Sequence, residues 1–363
     1  MFITANESNI HSRLKHYLVR LAADGIRASI SIGFDGTKVP PVLTLSTLHR
    51  AIIGGATPHH FISVDDLTEE QVKSKLDKQS DIIRADEIKV AVISIQNAKK
   101  KKCPFFVLAG QPQTVNMPSS FNEFVTQACL SVCNELKEAD LVSVAADGVG
   151  CDNKWVCQQL RGFLRGDNRH VGLIDTDHNA KNFRYQLLGG SSVVMMGNFI
   201  IDPELLRLAR VEIDLWRVKD FASDLLVLKL ASEKTINKLS QLDNEDSSCI
   251  AVLSVTLYFL RLRLYSVNAK VFGFRGRMTF MWSSMIWFTS LGYKSTLGTN
   301  QSNMLANRRN FVTETIAFIF LFVRKDIINP RYCTSEPNEH TFGGWRCEKR
   351  EATTQECTEI EEK

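Results

Sequence analysis

Three strand-like runs in this chain each end at an aspartate, and this recurrence constrains the fold more than any other feature. The runs are Ser29 to Phe34, Leu141 to Ala146 and Val171 to Ile174, and the aspartates that follow them are Asp35, Asp147 and Asp175. The first run alternates polar and apolar residues like a half-buried strand, and the others are nearly continuous apolar runs, as in strands buried on both faces. Because open α/β sheets bind ligands at the carboxyl ends of their strands, the pattern predicts carboxylates gathered at one edge of a sheet.

Helical patterns alternate with these strands and indicate an α/β fold. A meander of three short strands is expected at 29–34, 39–45 and 50–53, and further strands at 88–95, 105–108, 141–146 and 171–174. Helices are expected at 8–23, 66–83, 120–137, 155–164 and 178–188, several with a serine or aspartate positioned as cap. The predicted fold class is a mixed sheet flanked by helices and interrupted by a mainly helical insertion.

The same patterns suggest how the chain is divided. An N-terminal helix (1–26) precedes the first part of a core (27–188), within which residues 57–102 are predicted to be an inserted segment. A mainly helical insertion follows (189–333), and 334–363 supplies a last core helix and a charged tail. The apolar segments 278–291 and 311–323 fall short of the roughly 20 residues that a membrane span needs, so no membrane association is expected.

Two further carboxylates, Glu336 and Glu339, follow the long apolar region near the end of the chain. Carboxylate oxygens are the ligands that Mg²⁺ and Mn²⁺ prefer, and two such ions held by three acids can carry out phosphodiester chemistry. Asp35, Asp147 and Glu339 are therefore predicted to be both the metal ligands and the catalytic acids. The alternative for the two aspartates is structural, since each precedes a glycine and Asp-Gly is a common turn.

Local basic groups, rather than the net charge of only +4, are the candidates for binding nucleic acid. One is the run Lys99, Lys100, Lys101 and Lys102, for which a solvated loop is the alternative. Another lies on one face of the helix after Asp175, where Lys181 and Arg184 are expected to meet phosphates and His178 to support the metal site. Here the alternative is a helix capped by Asp175.

Four motifs, in the same order, make the chain resemble the catalytic region of the P-element and THAP-domain transposases, an RNase H-like family with a DDE acid triad. The motifs are Asp35-Gly36-Thr37-Lys38-Val39 with Gly54-Gly55 downstream; the strand ending in Asp147-Gly148 with Asn153 nearby; Asp175, His178, Lys181, Asn182 and Arg184; and Glu336, Glu339, Phe342, Gly343 and Arg346. The first motif lacks the family's acidic-Met pair, and no N-terminal zinc-coordinating domain precedes the motifs.

The resemblance implies an RNase H-like core that cuts or joins DNA strands with Mg²⁺ or Mn²⁺ in the nucleus. It implies Asp35, Asp147 and Glu339 as the triad, Asp175, His178 and Glu336 as supporting groups, and Arg346 among the residues that contact DNA. The expected partner is transposon-end or host DNA, and a homodimer is expected because strand joining needs two ends held together.

Two other interpretations remain open at this point. The chain is alternatively a domesticated descendant that no longer turns over and acts as a DNA- or protein-binding module. A further alternative is a ribonuclease H-like nuclease, which would hydrolyse RNA in hybrids without strand transfer.

Overall fold

The computed structural model describes residues 7–23, 25, 27–46, 50–56, 61–77, 81–96, 104–114, 120–137, 139–147, 150–188, 192–196, 199–216, 224–242, 247–268, 272–295, 304–324, 327, 329–335 and 337–338. The chain forms two compact units, one of residues 1–170 with 332–363 and one of residues 171–331.

The elements of the first unit, in chain order, are α1 (Glu7–Ala23), β1 (Ala28–Lys38), β2 (Thr44–Ser46), β3 (Ala51–Ile53), β4 (Phe61–Ser63), α2 (Glu69–Leu76), β5 (Glu87–Gln96), β6 (Phe105–Gln113), α3 (Ser120–Glu135), β7 (Ala139–Ala146) and α4 (Gly150–Arg165). The second unit contains β8 (Val171–Ile174), α5 (Thr176–Leu188), β9 (Ser192–Met196), β10 (Phe199–Ile201), α6 (Glu204–Leu208), α7 (Ile213–Trp216), α8 (Asp224–Leu230), α9 (Glu233–Ser240), α10 (Ser247–Asn268), α11 (Phe274–Ser290), β11 (Gly292–Ser295) and α12 (Met304–Phe322). A 3₁₀ helix covers Pro330–Cys333.

A mixed five-stranded sheet with helices beside it gives the protein an α/β architecture, as the sequence predicted. Its strand order is β6-β5-β1-β7-β8. β1, β5 and β6 form an antiparallel meander, whereas β7 runs parallel to β1 on its other side. β1 has a central position in this sheet, and all but its last three residues are buried.

One face of β1 carries the large apolar side chains Ile30, Ile32 and Phe34, all fully buried. The Phe34 ring lies edge-on to Phe121 of α3 and Trp155 of α4, with centroid distances of 6.1 and 5.4 Å. Helices therefore cover this face, and burying aromatic and β-branched side chains against them supplies the main stabilisation of the unit.

The predicted meander and inserted segment differ from those observed. The second and third predicted strands correspond to β2 and β3, which pair with each other in a separate small sheet, and β3 also pairs with β4. Pro40 and Pro41 lie two and three residues after the end of β1, and proline cannot donate to a sheet ladder, so the core strand stops before them. Since β5 returns to the central sheet, the segment set apart from that sheet is 39–86 rather than 57–102.

The second unit begins at residue 171, earlier than the predicted boundary of 189, and ends at 331. It is mainly helical, and it also contains a small antiparallel sheet with strand order β10-β9-β11. β9 and β11 come from segments about a hundred residues apart in the chain, a non-local pairing that local sequence patterns do not reveal.

A buried ion pair lies among the helices of the second unit. Arg263 of α10 and Glu314 of α12 are 1% and 0% exposed, with 2.9 Å between Nη2 and Oε2. Asn179 of α5 donates to Glu314 at 2.8 Å. Arg263 also donates to the Phe311 carbonyl and the Ser284 hydroxyl, at 2.8 and 3.2 Å. Burial lowers the pKa of Arg263 from its ordinary value, while the charge of Glu314 opposes that shift.

Among the described residues, one helix is long and apolar enough to span a membrane by length and composition. This helix is α10, and 56% of its apolar window is buried within the protein. The core helix of a protein that crosses no membrane passes the same test.

Removing one member of the buried pair should destabilise the protein strongly. Glu314→Ala leaves the Arg263 charge buried without its carboxylate, and we expect a loss of about 3–5 kcal/mol in the free energy of unfolding. Denaturant titration followed by circular dichroism measures this loss. The control is Glu233→Ala, which removes a carboxylate that is 67% exposed and paired with Arg261, and should change stability far less. Equal losses in the two variants would contradict the role given to the buried pair.

Candidate active site

The β1–β7 ladder brings two of the three predicted acids together. Its last pair joins Phe34 to Ala146, so Asp35 and Asp147 are the next residues on adjacent parallel strands. Ser31 and Ser143 are also paired, and their hydroxyl oxygens lie 2.9 Å apart on one face of the sheet. Because side chains alternate along a strand, Asp35 and Asp147, each four residues further on, share that face. Neighbouring strands are about 4.8 Å apart, which suits carboxylates that act together.

Asp35 occupies a confined position on this face. Its side chain is 5% exposed, and its Oδ1 accepts a hydrogen bond from the amide of Gly36 at 2.7 Å. Across the other ladder Asp35 pairs with Val90 of β5. A carboxylate held in this way at low exposure is pre-organised, because little side-chain freedom is left to lose when a ligand binds.

Residues Tyr332 to Ser335 and Asn338 lie on the same face of the sheet. Ser94 of β5 donates to the Tyr332 carbonyl, and Ser143 donates to the Cys333 carbonyl at 3.4 Å. The side-chain amide of Asn338 donates to the Val90 carbonyl at 3.0 Å, and the backbone N–H of Asn338 donates to the Ser335 carbonyl at 2.9 Å. This segment therefore leads the chain across the sheet to the strand pair that carries Asp35.

Gly33 permits this close approach. A Cβ at position 33 would lie 2.7 Å from Oδ1 of Asn338, 2.9 Å from the Thr334 carbonyl and 3.1 Å from Cα of Ser335. Distances this short leave no room for any other residue without displacing backbone. Gly33 lies two residues before Asp35 on the same face of β1, and Asn338 immediately precedes Glu339 in the sequence.

The third predicted acid, Glu339, lies outside the described residues, as do Glu336, Arg346 and the lysines Lys99, Lys100, Lys101 and Lys102. Within the described part of the chain, no group of three or more His, Cys, Asp or Glu side chains could hold a metal ion. Asp35 and Asp147 carry carboxylates, the kind of group that Mg²⁺ prefers as a ligand, and Asn338 immediately precedes Glu339 in the sequence.

Asp175 acts as the cap of α5, which was the structural alternative. It follows β8 and is 5% exposed. Its Oδ1 accepts hydrogen bonds from the amides of Asp177 and His178, at 2.8 and 3.0 Å. These two amides belong to the first turn of α5 and have no partners within the helix. The cap accounts for an aspartate at this position without requiring catalysis.

The basic residues of α5 are buried. Lys181 is 7% exposed and Arg184 is fully buried, so the predicted phosphate contacts would need this part of the protein to open. Arg277 of α11 is also buried and donates to the carbonyls of Ser266 and Val267 at the end of α10. Arg263 is held in the buried ion pair. A basic residue type does not by itself indicate a surface group.

The sequence prediction did not single out several residues that shape the candidate site. Ser29, Ser31, Gly33 and Asp35 occupy alternate positions of β1, and that row of small and polar residues was visible as a pattern. The sequence did not show that another segment covers this row, because that segment comes from about 300 residues further along the chain.

Enlarging the contact at Gly33 should destabilise the protein. Gly33→Ala forces a methyl group against Asn338 and the Thr334 carbonyl, and overpacking of this kind costs about 1–3 kcal/mol. Thermal unfolding measures the effect. In the control Gly276→Ala, the new Cβ would meet Phe272 at an ordinary 3.7 Å, and a helical Gly→Ala change is neutral or stabilising by up to about 1 kcal/mol. An unchanged melting temperature for Gly33→Ala would contradict the packing of the C-terminal segment.

No protein-family model, curated protein or solved structure matches this chain. The site is therefore defined by the geometry of its own residues.

Proposed function

We propose that this chain is a transposase-derived DDE-type protein that cuts or joins DNA strands with Mg²⁺ or Mn²⁺. The observation that carries the proposal is the pairing of β1 with β7, which sets Asp35 and Asp147 side by side on one face of the sheet. Two carboxylates from adjacent parallel strands form the base of a site for hard divalent cations. The resemblance to P-element and THAP-domain transposases assigns the same two residues to the acid triad.

The sheet topology supports an RNase H-like core. An antiparallel meander of β1, β5 and β6, with β7 parallel to β1 and β8 beyond it, gives the order β6-β5-β1-β7-β8, which is the arrangement of that fold. The division of the chain supports the same assignment. The second unit interrupts the first between residues 170 and 332, between the second and third acids, where the family carries its insertion.

In the proposed site Asp35, Asp147 and Glu339 hold the metal ions. When bound, such ions lower the pKa of an attacking water or 3′-hydroxyl and stabilise the leaving oxygen of an in-line displacement. The chain's own contribution is to fix its carboxylates beforehand. The parallel ladder sets the spacing of the two aspartates, the Gly36 amide orients Asp35, and the contacts of Asn338 with Gly33 and Val90 hold the segment before Glu339.

The remaining assignments follow from this proposal rather than from separate observations. DNA is the proposed partner, the nucleus the proposed location, and a homodimer the proposed assembly for joining two ends. The non-catalytic descendant is the second candidate, and the departure of the first motif from the family pattern favours it. A ribonuclease H-like nuclease is the third, since it would use the same carboxylate arrangement.

Neutralising either aspartate should abolish metal-dependent strand cleavage. We expect the wild-type protein to nick supercoiled DNA in Mg²⁺ or Mn²⁺, and Asp35→Asn and Asp147→Asn to lower the rate roughly 100-fold or more, because such metal assistance is worth several kcal/mol. Asp167→Asn, the same chemical change at an exposed position, is the control and should cleave normally.

Each other outcome of this assay has a definite meaning. Normal cleavage by both Asp35→Asn and Asp147→Asn would contradict the proposed site. A folded wild-type protein without cleavage in either metal would favour the non-catalytic descendant. Cleavage of the RNA strand in RNA–DNA hybrids, with duplex DNA left intact, would favour the ribonuclease.

A further inference from the structure

The helices α1, α3 and α4 form one layer on the face of the central sheet opposite to Asp35. The Phe34 ring of β1 contacts aromatic rings of α3 and α4. Tyr17 of α1 lies 5.1 Å from Phe106 of β6, and Phe106 stands in line with Ile32 across β5. Because Ile32 and Phe34 share a face of β1, all three helices cover that face. The sheet therefore separates the solvent-facing side of this layer from the candidate metal site.

The solvent-facing side of this helical layer carries two rows of basic side chains. The row on α1 consists of Arg13 and Arg20, and the row on α4 consists of Lys154, Arg161 and Arg165; all five side chains are exposed. Spacings of four and seven residues place the members of a row on one side of their helix. At 1.5 Å per residue the rows are about 10 and 16 Å long. A surface of this length fits an extended anion better than a single phosphate or carboxylate group.

Several acidic side chains of the layer are held by contacts within the protein. Glu135 at the end of α3 contacts His11 and Lys15 of α1, at 2.7 and 2.8 Å. Glu123 of α3 accepts hydrogen bonds from two side chains of α4, and Asp152 of α4 pairs with a lysine of β5. These contacts join α1 and α4 to α3, and they occupy the carboxylates.

The five side chains of the two basic rows are not neutralised in this way. Within the part of the chain that the structure describes, none of them forms an ion pair. Asp167, exposed in the loop after α4, offsets part of the charge beside Arg165. Since the other members of the rows have no bonded carboxylate, their positive charges remain available to an anion in solution.

The helix α3, which contacts both α1 and α4, adds neutral hydrogen-bonding groups to the same surface. Ser131 and Asn134 lie on its exposed side, and side chains of these types join Arg and Lys in binding phosphate oxygens of nucleic acids. Three apolar side chains, Val19, Phe124 and Leu164, are also exposed, one on each helix. Exposed apolar residues scattered singly are ordinary, so the character of the surface is set by its basic and polar groups.

We propose that this surface binds the phosphate backbone of duplex nucleic acid, with the two basic rows on phosphates. A duplex is a stiff rod with closely and regularly spaced negative charges, which complements rows of cations on a layer of helices. Contacts of this kind hold a duplex without reading its sequence. The inference goes beyond the metal site, because the surface lies on the other side of the sheet from Asp35 and Asp147.

A single strand and an anionic lipid surface are the other polyanions that basic rows attract. Proteins that bind single strands stack the bases on successive aromatic rings, whereas Phe124 is the one exposed aromatic side chain among those described on these helices. Helices that lie on a membrane bury a continuous apolar face, and the exposed apolar residues of this layer stand apart on separate helices. The chemistry of the surface therefore favours a duplex.

The test is binding of a short fluorescein-labelled DNA duplex by the full chain, followed by fluorescence anisotropy in EDTA so that no metal-dependent reaction occurs. We expect Arg20→Ala, Arg161→Ala and Arg165→Ala each to weaken binding roughly eightfold at about 0.1 M salt. Each should also reduce the magnitude of the slope of log K against log salt by about 0.9, the loss of one phosphate contact. The matched control is Arg207→Ala, which removes an exposed arginine of α6 that is paired with Glu204. It should bind as the wild type does.

A second variant separates the loss of charge from a change of fold. Arg161→Lys keeps the positive charge, so we expect the wild-type salt slope, and the melting temperature of every variant should be unchanged because the substitutions are at exposed positions. Wild-type affinity and slope in all three alanine variants of the rows would overturn the proposal. Equal weakening by Arg207→Ala would also overturn it, because net charge alone would then explain the effect. Tighter binding of oligothymidylate than of the duplex, or of phosphatidylserine vesicles with no duplex binding, would overturn it in favour of a single strand or a membrane.

The experiment separates this inference from the proposed catalytic function. Asp147→Asn should bind the duplex as tightly as the wild type in EDTA, because the sheet lies between that aspartate and the basic rows. If the wild-type protein binds through Arg20, Arg161 and Arg165 but cleaves no DNA, the binding surface stands and the catalytic proposal fails. If cleavage depends on Asp35 and Asp147 but the row variants bind normally, the reverse holds.

Discussion

The two faces of β1 differ in side-chain size, and the rest of the first unit depends on this difference. On one face Ile30, Ile32 and Phe34 fill the space beneath the helices. On the other, the row that ends at Asp35 offers only hydroxyls and the bare backbone of Gly33, so another segment can approach the sheet closely. The hydroxyls of Ser94 and Ser143 donate to carbonyls of that segment, and hydrogen bonds of this kind offset the cost of removing polar groups from water.

This constraint links the fold to the proposed chemistry. The residues that leave room for the C-terminal segment and the residues that would bind metal occupy every second position along the same strands. They therefore share one face of the sheet. The parallel ladder aligns Asp35 with Asp147, while Asn338 joins the end of the described segment to Gly33 and Val90. Catalytic groups gathered from distant parts of a chain need such supports, because small displacements of reacting groups are costly in rate. The helical unit has a polar anchor of its own in the Arg263–Glu314 pair.

Local pattern predicted much of the fold. The alternation in β1, the apolar run of β7 and the stripe of α3 each specify an element, and the observed strand β8 has the predicted bounds. The second and third strands of the predicted meander do not belong to the central sheet, because adjacent prolines after Lys38 divert the chain. The observed meander is completed by β5 and β6, which are distant from β1 in the sequence. The sequence also did not predict which charged side chains are buried. Spacing set Lys181 and Arg184 on one helical face, but which face packs inward depends on tertiary structure.

The central claim is that Asp35, Asp147 and Glu339 form one metal site, and Mn²⁺ binding followed by calorimetry tests it most directly. The account predicts binding to the wild-type protein that is lost in Asp147→Ala and equally in Glu339→Ala, with both variants folded. Loss in both would show that an acid next to the described C-terminal segment and an acid at the end of β7 serve the same ions. Wild-type binding that persists in both variants, or no binding in the wild type, would contradict the claim.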